Sequence, residues 1–252
     1  KAKEQEQPLI AHLAELRTRL VHGLVCVLLV FVVLSPFYAE LYSLIATPLI
    51  NKLPAGTNMI ATEVASPFLV PFKLTAFLAV FISMPYLLYQ LWAFVAPGLY
   101  RNEIRFAVPL LLTSIILFYT GAAFAFFVVF PLVFAFFTSV APEGVTVMTD
   151  IGHYLSFVLK MFFAFGLAFE VPVATFLLVS TGIADYDSLR KKRPYIIVGA
   201  FVIAMLLTPP DVISQFLLAI PVLILFEAGL YLSKRFARTD TEDDETIDEE
   251  KG

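Results

Sequence analysis

Marked by its charges, the chain separates into long apolar runs divided by short polar segments. Charge-free intervals cover 20–39 between Arg19 and Glu40, 74–100 between Lys73 and Arg101, and 106–142 between Arg105 and Glu143. A fourth run, about 153–182, carries Lys160 and Glu170. A fifth, 194–210, lies between Arg193 and Asp211, and a sixth, about 212–233, holds Glu227 near its end. Roughly 20 helical residues, rising about 1.5 Å each, cross the hydrocarbon of a bilayer. The pattern predicts six transmembrane helices at about 20–39, 73–95, 106–131, 153–182, 194–209 and 212–233, in one membrane domain over 1–238. The third interval is too long for one span, so PLVFAFFTSVAP (131–142) is expected partly in a loop. Pro85, Pro131 and Pro172 interrupt spans two, three and four or sit at their ends. There they either bend a concave bundle or are simply the prolines common in membrane helices.

The last two spans look short. Span five holds 17 uncharged residues, and span six has 15 before Glu227. At about 1.5 Å per residue both fall below the ~30 Å hydrocarbon core, which predicts a thinned bilayer beside a tight hairpin through TPPDV (208–212).

Composition supports lipid as the solvent: 60% of residues are hydrophobic, 26 are Phe, and mean hydropathy is +0.86. The net charge of -4 arises in the tail TDTEDDETIDEEKG (239–252), which holds eight acids and one Lys and reads as a disordered cytoplasmic extension. Without it the body is +3. Six spans put both termini on one side, where 14 of the 17 Lys and Arg fall; Lys52 and Lys73 lie opposite and Lys160 inside span four. That bias predicts cytoplasmic termini. Glu4, Glu6 and Glu15 argue against a cleavable leader, so the first span is expected to stay. Cys26 stands alone, which excludes an internal disulfide, and His12, His22 and His153 are too scattered to propose a metal site. No HExxH, GxSxG or phosphate-cradling glycine loop is present, so neither a metalloprotease nor a nucleotide-driven pump is supported and no cofactor is implied.

Three acids stand out. Glu170 lies in MFFAFGLAFEVPVATFLLVSTGIA (161–184), at bilayer depth, where an ionisable group costs about 2.5–3.5 kcal/mol on insertion scales and marks a functional site by default. Glu15 lies in QPLIAHLAELRTRL (7–20), an amphipathic segment whose Leu9, Leu13, Leu16 and Leu20 form one stripe; an interfacial helix over 7–19 is expected. Glu103 stands between Arg101 and Arg105 in the loop QLWAFVAPGLYRNEIRF (90–106), whose Trp92, Phe94 and Tyr100 suit an interface. Two readings of Glu15 and Glu103 remain open. They are surface acids balancing Arg19 and the loop arginines, or they form an acidic patch that selects a guanidinium ligand by charge-assisted bidentate bonds.

The blocks HLAELRTRL (12–20), IATEVASPF (60–68), WAFVAPGLY (92–100) with Glu103, SFVLKMFFAFGLAFEVPV (156–174), LRKKRPY (189–195) and LLTPPDVISQ (206–215) resemble TatC. This is the polytopic subunit of the twin-arginine protein translocase. The resemblance runs in order from about residue 7 to 235. It implies an all-α integral membrane protein with six helices in a cup-like bundle in the bacterial cytoplasmic membrane. It also implies recognition of twin-arginine signal peptides on folded precursors, and export with TatA and TatB driven by the proton-motive force. By the same resemblance Glu15, Glu103, Phe94, Arg17 and Arg105 are signal-peptide residues, and Pro48, Glu170 and Asp211 are structural or coupling positions. Met205, Thr208 and Gln215 lie where single-span TatA or TatB partners pack, and self-association within a receptor complex is implied. Lys160 has no implied role.

Two rivals are distinguishable. A proton-coupled transporter would use Glu170 as its titrating group, yet no repeat relates residues 1–126 to 127–252. A membrane scaffold without transport would leave Glu15 and Glu103 as balancing charges.

Overall fold

The computed structural model describes the backbone of residues 2–50, 59–95, 107–140, 149–180, 182–207 and 212–249, and within these the side chains of 13–44, 60–94, 108–136, 150–180, 182–207 and 212–234. The described chain is almost wholly helical. In order it comprises α1 (Ala2–Leu34), a 3-10 turn (Ser35–Phe37), α2 (Tyr38–Ile50), β1 (Met59–Ile60), α3 (Ser66–Val95) and α4 (Ala107–Phe124). A π-helical turn (Ala125–Val129) and α5 (Phe130–Val140) continue α4; β2 (Thr149–Asp150), α6 (Ile151–Ala168) and α7 (Val171–Ser180) come next. The chain ends with α8 (Tyr186–Lys191), α9 (Arg193–Leu207) and α10 (Val212–Glu249). Among the described residues five helical segments are long and apolar enough to cross a membrane, and the shorter apolar helix Arg193–Leu207 falls where the fifth span is expected.

Several boundaries differ from those expected, each for a local reason. No separate interfacial helix precedes span one: 7–19 lies within the single α1, because no proline separates residues 9–19 from the apolar run that follows and a formed helix extends readily. The second span begins at Ser66 rather than 73; Lys73 is accommodated within it by donating from Nζ to Ser156 Oγ at 2.7 Å. The third continues through Val140 rather than giving way to a loop, with Phe134 stacked on Tyr154 and edge-on to Phe157. The fifth span is short, 15 residues. The sixth is not: its apolar stretch runs Val212–Lys234, 23 residues. Glu227 does not end it because Arg193 Nη2 donates to Glu227 Oε2 at 2.5 Å. The backbone of α10 stays helical to Glu249, into the stretch whose composition predicts disorder; extending a formed helix avoids the cost of nucleating one.

Where one domain is expected, contacts group the chain into two compact units with boundaries inside the third and fourth spans. In the first (1–115 and 134–159) α1 and α2 pack on α3. Gly23 makes room for Leu87, whose Cδ2 lies 2.9 Å from where a Cβ would be. Val70, Leu74, Leu155 and Leu159 form a buried cluster. Trp92, expected at an interface, is instead buried, and its indole N–H donates to Ser114 Oγ at 3.2 Å. The strands β1 and β2 pair in parallel, Met59 with Thr149 and Ile60 with Asp150.

In the second unit (116–133 and 160–252) aromatic rings fill the core, with Phe118, Phe130 and Phe165 fully buried. Helices approach closely at glycines: a Cβ on Gly166 would lie 2.5 Å from the Phe118 ring, and one on Gly229 2.7 Å from Pro172 Cα. The second contact belongs to the packing of α10 on α7.

Candidate functional site

The amphipathic spacing near the amino end of α1 places Glu15 and Arg19 one turn apart on the same face. Arg19 donates from Nε at 2.9 Å and from Nη2 at 2.6 Å, both to Glu15 Oε1. Its Nη1 reaches Gln90 Oε1 on α3 at 3.4 Å, and Gln90 Nε2 donates to the Tyr86 hydroxyl at 2.7 Å. Arg19 and Glu15 side chains retain 25% and 36% exposure, so water still screens the pair.

Beside this polar cluster α1 and α3 enclose an apolar groove of about 430 Å³. Leu16, Leu20 and Leu24 line one wall and Leu87, Leu91 and Phe94 the other, with Arg19 and Gln90 also on its lining. The leucine stripe is therefore turned partly into a groove, and Leu13 and Leu20 stay 64% exposed rather than packed away. The structure thus brings Glu15, through Arg19, to the same groove as Phe94. Arg17 is exposed on α1. Glu103, Arg105, Thr208 and Asp211 lie outside the described residues. Gln90 and Tyr86 are participants that charge counting passes over; their only signal is a polar pair spaced by four in an apolar run.

Glu170 occupies a break. It lies between the end of α6 at Ala168 and the start of α7 at Val171. Pro172 explains the position, since it has no N–H for the Ala168 carbonyl and its ring collides with the preceding turn. The Glu170 N–H donates to the Leu167 carbonyl at 3.0 Å, and its carbonyl accepts from the Ala174 N–H at 2.9 Å, opening α7. The side chain is half-buried, with Oε1 shielded from solvent. It sits at the amino end of α7, where the helix dipole favours negative charge, and at the carbonyl end of α6, which opposes it. Pro48 lies in α2, with its side chain outside the described set. Met205 is 54% exposed on α9, and Gln215 is half-buried on α10.

A further acid, Asp150, is held by contacts from both of its oxygens. Its Oδ1 caps α6 by accepting from the Gly152 and His153 N–H groups, both at 2.9 Å, with His153 Nδ1 3.1 Å from the same oxygen. Its Oδ2 accepts from the Thr62 N–H at 2.9 Å and the Thr62 hydroxyl at 2.6 Å. These bonds, the Thr62 hydroxyl foremost, hold its carboxyl well below the usual carboxylate range. The signal was an Asp immediately before an apolar helix, a standard N-cap position.

These elements define a class: a multi-pass, all-α membrane protein that presents a carboxylate already holding a guanidinium beside an apolar groove. Comparison with known proteins narrows it. Residues 11–221 match the family model described as Sec-independent protein translocase protein (TatC). Relatives named Sec-independent protein translocase protein TatC include one from Azotobacter chroococcum mcd 1, 59% identical over 92% of this chain and 91% of its own. Another, from Escherichia coli strain K12, is 57% identical over 92% of this chain and 90% of its own. A solved structure of a twin arginine translocase receptor, TatC, superposes with a TM-score of 0.79 at 36% identity, covering 88% of this chain and 98% of that one. The chain belongs to the TatC family, a family of membrane protein-transport components. That membership displaces the proton-coupled transporter and the scaffold as readings.

Proposed function

We propose that this chain is the signal-peptide receptor subunit of a twin-arginine translocase. Glu15 and Glu103 take the adjacent arginines of a signal peptide, with Arg17, Arg105 and Phe94 as further signal-peptide residues, and the apolar part of the signal lies along the groove between α1 and α3. The observation that carries this reading is the Arg19–Glu15 pair at the groove. A carboxylate there accepts a guanidinium through two short charge-assisted bonds, and apolar lining begins next to it. A lysine supplies a single point charge where arginine supplies a planar fork, which accounts for a preference for arginine.

Export then follows in the company of single-span TatA and TatB, with both termini cytoplasmic and the bacterial cytoplasmic membrane as the site. Met205, Thr208 and Gln215 form the partner-helix surface, and the receptor self-associates. Glu170, placed where α6 gives way to α7, couples signal binding to rearrangement of partner helices by hydrogen bonding within the bilayer; Asp211 and Pro48 serve as structural or coupling positions. The short fifth span supports local bilayer thinning beside α9, where TatA assembles, with the proton-motive force as driver. Photocrosslinking of a twin-arginine precursor to this chain tests the first step. Crosslinks fall away in Glu15→Ala and Glu103→Ala if the reading holds; undiminished crosslinks in both would overturn it.

A further inference from the structure

The ligand proposed for Glu15 is a guanidinium, yet its carboxylate already holds one. Two donors of Arg19 converge on the single oxygen Oε1, so an arriving arginine cannot take Glu15 in a two-oxygen fork without moving Arg19. The pair is built to be moved, because partly exposed partners four apart on a helix bind each other weakly. A second acceptor already takes a long bond from Arg19 across the groove. Gln90 Oε1 lies 3.4 Å from Arg19 Nη1, and its amide is braced by Tyr86 at 2.7 Å. A neutral amide is a weaker acceptor than a carboxylate, so Arg19 rests on Glu15 and needs displacement to favour Gln90.

Resting on the reading of Glu15 given above, we propose that Arg19 is an internal stand-in for the signal's arginine. It occupies Glu15 in the empty receptor and shifts onto Gln90 when a signal arginine arrives. Displacing Arg19 burdens every cationic ligand that takes both oxygens by the same amount. The device therefore sets a threshold that weak signals fail to reach, while leaving the ratio between such ligands unchanged. Arg19 is in this sense a positioning residue, acting on the ligand through Glu15.

The test uses the full chain in lipid nanodiscs and two fluorescent peptides, one with adjacent arginines and one with adjacent lysines. Arg19→Gln should tighten the twin-arginine peptide by about two- to fivefold, the scale of an exposed ion pair. Removing a positive charge alone would also tighten binding, so the deciding readout is Gln90→Leu, which changes no charge. Gln90→Leu should weaken twin-arginine binding several times more in the chain that keeps Arg19 than in the Arg19→Gln chain, since any direct effect on the groove lining is common to both backgrounds. Equal effects of Gln90→Leu in both backgrounds, or weaker binding in Arg19→Gln, overturn the stand-in. The twin-lysine peptide gaining several times more than the twin-arginine peptide from Arg19→Gln contradicts a common threshold. Glu15→Gln separates the two levels. If it weakens binding while the Gln90 cycle shows no coupling, only the stand-in fails; if it changes nothing, the receptor reading of Glu15 fails with it.

Discussion

Glu15 lies on α1 and Glu170 between α6 and α7, and the two glutamates are held in opposite ways. Glu15 is gripped by a side chain, Arg19, one turn along the same helix, with both members partly exposed. Glu170 is placed by the backbone, at the interruption between α6 and α7 where Pro172 ends one helix and begins another. A carboxylate held by a weak, exchangeable ion pair suits ligand capture. One fixed at a helix break suits transmission of a change between helices. On the function proposed for the two acids, the contrast divides recognition from coupling.

The largest effect expected from breaking this contrast is at Glu170. Glu170→Leu should abolish export of a twin-arginine reporter while leaving peptide binding intact, and Glu170→Gln, which keeps hydrogen bonding, should retain much of it. Equal loss in both would return charge or proton uptake to the account. Next, Gly229→Val should damage the same step indirectly. Its side chain would meet Pro172 backbone where a Cβ alone already lies within 2.7 Å of Cα, an overpacking cost of about 1–3 kcal/mol readable as lower thermal stability in detergent. Glu15→Ala should then weaken twin-arginine peptide binding by about fivefold, corresponding to about 1 kcal/mol for a solvent-screened charge contact, without altering thermal stability.

Asp150 supplies the smallest effect near neutrality and a control for both glutamates. Its folded-state pKa lies below the unfolded value of about 3.9. The stabilisation it gives is therefore complete above that value and is lost only as pH falls through the folded one. In a His153→Gln background, which removes the imidazole beside Asp150, hydrogen exchange at the first turn of α6 should be flat from pH 8 to 5 after correction for intrinsic rates. Asp150→Ala should loosen that turn across the whole range by removing the cap from Gly152 and His153. A protection step between pH 5 and 8 would contradict the assignment.

The order of the spans and the presence of Glu15, Glu170 and Arg19 were legible because charge-free length and spacings of four are properties of the chain itself. The boundaries were less so, and Lys73 and Glu227 show why. Counting charges treats each as a terminator, but one reaches Ser156 and the other Arg193, partners 83 and 34 residues away. A charge that finds a partner does not end a helix. Trp92 was assigned to an interface for the same reason, since Ser114 is invisible from its neighbourhood in sequence. Gln90 belongs to the same group: it gains a role only when α3 lies against α1, 71 residues from Arg19.

The central claim is that a signal's arginines are taken at Glu15 beside the groove of α1 and α3. The most direct measurement places a photocrosslinker at Leu91, on the groove wall, and challenges the chain with a twin-arginine precursor. The account predicts crosslinks to the signal peptide that fall sharply when Glu15 becomes Ala and when the precursor's arginine pair becomes two lysines. Crosslinks at Leu91 indifferent to both changes would contradict it.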